Sequence, residues 1–170
     1  MDSRDVAPSL PQSNPDADAN AVPALLRRAV SGVLRNAQNG DLPLFAWTLG
    51  MPQSELLALL ARMFPEVEPV EAMPNAQYHK LLRMCPPDFA AMLAMLLANR
   101  NPAQPERLAR WLAHAIAAAC YGERELWEDL DLGGRDDLGR LLQQYFPPLH
   151  ARLRHGHNWK QVLLTEFHTA

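Results

Sequence analysis

Fifteen prolines in 170 residues cut the chain into short segments, and within each segment apolar residues recur at helical spacing. An interior proline costs a helix about 3 kcal/mol, so these prolines must sit at helix starts, helix ends and linkers. No stretch alternates β-branched with polar residues as a strand would. The expected fold is all-α: a single compact multi-helix bundle.

Residues 1–21 are rich in Asp, Asn, Ser, Pro and Ala and offer almost nothing to bury. Such a segment cannot offset its ordering entropy and reads as a disordered tail, leaving 22–170 as the helical domain. Leu25, Leu26, Ala29, Val30, Val33 and Leu34 mark a first helix that Gly40 ends. A short apolar segment, Leu42–Leu49, follows. Pro52 opens a helix bearing Leu56, Leu57, Leu59, Leu60, Met63 and Phe64, and Pro65 stops it. Glu66–Asn75 reads as a loop, and helical pattern returns at Tyr78–Met84. Asp88–Asn99 is apolar nearly all round, which predicts a buried central helix. The stripe of Leu108, Trp111, Leu112, Ala115, Ile116, Ala119 and Cys120 predicts a helix over 105–121, with Gly122 just past its end.

A short turn at Leu126–Leu130 and a helix at Asp136–Phe146, stopped by Pro147, complete the middle of the domain. Beyond it, His150–Arg154 extends the helical pattern, and Asn158 with Gln161 forms a capping box ahead of Trp159, Val162, Leu163 and Phe167. Two blocks also look alike. Leu49-Gly50 leads to Leu59-Leu60 and Phe64-Pro65, as Leu132-Gly133 leads to Leu141-Leu142 and Phe146-Pro147. Either an internal duplication or two helices with the same stop signal accounts for this.

Several function classes find no support. A net charge of −3 offers no polyanion surface, so no nucleic acid is expected. Met1–Val6 lacks the apolar run of a signal peptide, and Phe89–Asn99 is too short to cross a bilayer. Two cysteines, Cys85 and Cys120, give no disulfide framework and point to a reducing, cytoplasmic setting. The sequence contains no Gly-x-Ser-x-Gly, P-loop or Gly-x-Gly-x-x-Gly, so no enzyme activity is expected.

Candidate metal ligands are Cys120, His155, His157 and His168. Neutral imidazoles at His155-Gly-His157 suit zinc, copper, nickel or iron, although Arg152, Arg154 and Lys160 beside them repel a cation. Cys120 lies on an apolar stripe, where a cysteine is commonly buried and inert. Glu123, Glu125, Glu128 and Asp129 cluster around Trp127 and read as a solvated acidic face. Paired acid–base work by Glu125 and Asp129 is the alternative.

From Trp111 onward the residues carry more. The stretch Trp111-Leu-Ala-His-Ala-Ile-Ala-Ala-Ala-Cys120-Tyr-Gly-Glu-Arg-Glu125-Leu-Trp127-Glu-Asp129-Leu-Asp-Leu132 resembles the central signature of NifQ nitrogen-fixation proteins. There a helix ends in Ala-x-x-Cys and His-Leu-Trp-Gln-Asp-Leu-Gly-Leu follows. The likeness continues through Phe146-Pro147-Pro148-Leu149 to Asn158-Trp159-Lys160, and upstream through Phe45-Ala-Trp-Thr-Leu-Gly50. It spans roughly residues 42–168. The resemblance implies that Trp111, Cys120, Glu125, Trp127, Asp129, Trp159 and Lys160 occupy the family motif. It implies a protein that holds molybdenum with an iron–sulfur cluster and donates the metal to the proteins assembling the nitrogenase iron–molybdenum cofactor.

Two departures accompany it. The family's C-terminal cysteines, close to Cys-x4-Cys-x2-Cys-x5-Cys, are absent, with His168 near where a cysteine precedes them. The family's histidine before Leu-Trp is Glu125 here. Both replace soft or borderline donors. Three accounts stay open: a truncated member, a helical adaptor that binds a protein partner and no metal, or a different ion held by Cys120, Glu125, His155, His157 and His168.

Overall fold

A computed structural model describes residues 22–68 and 71–152, together with Lys160 and Leu163. Among the described residues there are eight α-helices, one 3₁₀ segment and no strand. The all-α expectation holds. The helices are α1 (Ala24–Gln38), α2 (Gln53–Met63), α3 (Asn75–Arg83), α4 (Phe89–Ala98), α5 (Glu106–Ala119), α6 (Leu126–Asp129), α7 (Arg135–Tyr145) and α8 (Pro147–Arg152). The 3₁₀ segment is Leu44–Thr48, within the short apolar run. The expected tail, the Asn158 capping box, His155, His157, Trp159 and His168 lie outside the described residues.

Prolines set the boundaries as their chemistry demands. Pro23, Pro52, Pro74 and Pro105 stand immediately before α1, α2, α3 and α5, where the missing N–H costs no helical bond. The α3 helix starts at Asn75, inside the stretch read as a loop, because Pro74 rather than Tyr78 marks the start. Phe64 and Phe146 end α2 and α7 with nearly the same backbone, φ −131° ψ 60° and φ −137° ψ 62°. Each precedes a proline, whose ring bars the α conformation to its predecessor. The two blocks thus share their stop as well as their sequence pattern.

α5 is the axis of the core. Every residue from Trp111 to Ala119 is buried, and α1 and α4 pack against it. The α4 helix is not the central one expected. Phe89, Met92, Met95 and Leu96 face inward, while Ala90, Ala91, Ala94 and Ala98 are exposed. Its all-round apolar pattern is made of alanine on the outer side, and exposing a methyl group costs little. Phe45 packs edge-on against Phe89 and Tyr121, each at 5.5 Å between centroids, and seals the 3₁₀ segment to α4 and the end of α5.

Candidate functional site

Three of the family-like residues, Cys120, Asp129 and Lys160, gather where α5 ends. Cys120 closes α5, and Gly122 follows two residues later. The Asp129 carboxylate approaches Gly122 so closely that a Cβ there would lie 2.4 Å from its Oδ2 and 2.6 Å from Leu42. A glycine is required for that approach, not for an unusual φ.

Asp129 is fully buried, against the expectation of a solvated acidic face. Lys160 Nζ donates to its Oδ2 and, at 2.8 Å, to the Gly122 carbonyl. Arg124 donates from Nε to Oδ1 at 3.1 Å and from its backbone N–H to Oδ2 at 3.3 Å. Both carboxylate oxygens are thus committed, which removes Asp129 from acid–base work. Asn36, reaching over from α1, donates to the carbonyls of Asp129 at 2.8 Å and Glu128 at 3.3 Å and satisfies the last turn of α6. Sequence reading did not anticipate this hub. Its one early signal was the coincidence of Gly122, Asp129 and Lys160 within the family-like pattern.

Glu125 serves elsewhere. It caps α6 reciprocally with Glu128, and its carboxylate accepts from Trp127 Nε1 and Arg135. Hydrogen bonds from Arg135, then from Trp127, hold its carboxyl below the usual range. Trp111 is fully buried, donates Nε1–H to Glu55 at 2.9 Å and lies under the Arg107 and Arg62 guanidiniums at 5.0 and 5.7 Å. Arg107 completes the grip on Glu55 with two hydrogen bonds at 3.0 and 3.1 Å. His114, overlooked in the sequence, is buried with Nδ1 2.7 Å from the Leu49 carbonyl. Nδ1 must carry the proton to make that bond.

Of the candidate metal ligands, Cys120 alone lies among the described residues. Burial pushes its thiol up to about 12; Asp129 acts in the same direction and Lys160 against it. Burial lifts the Cys85 thiol to about 11. A ligating thiol must be deprotonated, so a metal bound at either cysteine would have to displace its proton. Among the described residues no three His, Cys, Asp or Glu side chains are gathered as a metal site. No described helix is long and apolar enough to cross a membrane.

What this arrangement does chemically is fasten Lys160 to the body of the domain. Leu163, fully buried, adds an apolar anchor three residues further on. The family model described as NifQ matches residues 29–167, which includes every residue of the hub. Protein NifQ of Azotobacter vinelandii is 31% identical over 137 residues, covering 76% of this chain and 69% of that protein. No solved structure matches.

Proposed function

The chain belongs to the NifQ family, whose role is accessory to nitrogen fixation, and from that premise we propose that it handles molybdenum during assembly of the iron–molybdenum cofactor. Molybdenum is cargo in this reading, passed on to the cofactor-assembly proteins without catalytic turnover. The observation that carries the proposal is the match over residues 29–167, together with the gathering of its Cys120, Asp129 and Lys160 at one hub. Asp129 and Gly122 hold Lys160 against the end of α5. A fixed geometry there is what delivery to a docked acceptor needs.

A second reading is favoured by the donor set. The sequence carries two cysteines, both with raised thiols, so the soft ligands an iron–sulfur core requires are not supplied by the described residues. The chain would then serve cofactor assembly as an adaptor that binds a protein partner and no metal. Elemental analysis of anaerobically purified protein for iron, molybdenum and zinc separates the two. Stoichiometric molybdenum supports cargo handling. Folded, metal-free protein that stays metal-free after incubation with molybdate and an iron–sulfur source overturns it in favour of the adaptor.

A further inference from the structure

The α2 helix is dressed the wrong way round for a surface helix. Its polar Glu55 and Arg62 turn toward Trp111 of α5. Leu56, Leu59 and Met63 are buried in the core. That leaves Leu57, Leu60, Ala61 and Phe64, at i, i+3, i+4 and i+7, as a second apolar stripe that is half-buried or exposed. The stripe floors two adjoining hollows of about 330 and 270 Å³ that share Leu57 and Leu60. One runs to Pro65 and Val67, the other to Trp47, Met73 and Tyr78.

Gln53, Tyr78 and Thr48 in the second hollow are already engaged, and Gln38 stands exposed at its edge. The Gln53 amide exchanges hydrogen bonds with the Met73 backbone at 3.0 and 2.7 Å, Tyr78 donates to the Met51 carbonyl at 2.7 Å, and Thr48 donates to Phe45. The part of the floor formed by Leu57, Leu60 and Met73 is therefore apolar in effect as well as composition. Its rim is acidic. Glu68 lines one hollow and Glu71 the other, both exposed and neither with a cation partner among the described residues. Glu66 beside them has one distant arginine, Arg27 at 3.9 Å.

We propose that this trough docks an amphipathic helix of a partner protein, laying an apolar stripe on Leu57, Leu60 and Phe64 and basic side chains against Glu68 and Glu71. The spacing from Leu57 to Phe64, two helical turns or about 10 Å, takes side chains at i, i+3 or i+4, and i+7 of the incoming helix. Charge selects this occupant over the chain's own first 21 residues. That segment carries Asp2, Asp5, Asp16 and Asp18 against Arg4, and the acidic rim repels it. The inference rests on the trough alone and stands whether or not the chain carries molybdenum.

The test uses the full chain and two synthetic peptides with the same helical leucine stripe, one flanked by lysines and the other by glutamates. Fluorescence anisotropy is expected to show binding of the lysine peptide and at least tenfold weaker binding of its glutamate twin. Glu68→Lys with Glu71→Lys, both exposed and outside any helix, is expected to reverse that preference. A photo-cross-linker replacing Ala61 is expected to capture the lysine peptide. Equal binding of both peptides, indifference to the charge reversal, or cross-linking into residues 1–21 or a second copy of the chain overturns the proposal.

Discussion

The ammonium of Lys160 rests on the carboxylate of Asp129, thirty-one positions earlier in the chain, with Asp129 wholly shielded from solvent. Taking two such charges out of water costs several kcal/mol each, and only their pairing and the added bonds from Arg124 and Gly122 offset it. Removing one partner strands the other. Asp129→Ala is expected to destabilise the protein by about 3–5 kcal/mol. Lys160→Met, which leaves Asp129 with Arg124, is expected to cost less. Urea denaturation followed by tryptophan fluorescence checks the order; equal, negligible losses would refute the pairing.

Gly122 gives an independent probe of the same contact. Gly122→Ala puts a methyl group into the space held by the Asp129 carboxylate and Leu42. Overpacking of this kind costs about 1–3 kcal/mol. The thermal midpoint is expected to fall, whereas Gly134→Ala, where an added Cβ meets nothing, should leave it within a degree or two.

The two thiols are expected to be slow nucleophiles in the folded chain. With Cys120 held to about 12 and Cys85 to about 11, thiolate at pH 8 is scarce, on the order of one in ten thousand and one in a thousand. Alkylation followed by mass spectrometry should modify Cys85 before Cys120 and both slowly, with rates rising steeply on unfolding. Rapid modification of Cys120 in native protein would remove the basis for its description as shielded.

Burial lowers the His114 pKa below 6.5, and the nearby Arg110 charge acts in the same direction, while the bond to Leu49 opposes them. The unfolded chain therefore binds the proton that the folded chain refuses. Stability contributed by neutral His114 is complete above about pH 6.5, and it is lost as pH falls from there through the depressed folded value. His114→Asn, which keeps a donor for the Leu49 carbonyl, is expected to flatten that part of the stability–pH curve. An unchanged slope between the two proteins would assign the acid sensitivity to other groups.

The helices were largely legible because proline and the apolar stripe act locally. Pro105 and the run from Leu108 to Ala119 mark α5 within a residue or two. The depth of each helix was less legible: α4 is as apolar as a central helix, yet its alanines tolerate the surface. The hub was hidden for a related reason. Glu123, Glu125 and Glu128 give Asp129 the company of a solvated face, and nothing local reports that Lys160 and Arg124 converge on it. Glu125, four residues away, pairs with Arg135 instead, so one acidic run serves two unrelated purposes.

Asn36 finishes a helix to which it does not belong. The four residues of α6 are far below the length at which a helix persists in water. Their closing carbonyls are held by a side chain more than ninety positions upstream. Within the family-like stretch, these four residues are thus the part with least shape of its own. It takes form only after the chain has closed a long loop onto α1, and it should be among the first regions to exchange its amide hydrogens when that closure breathes.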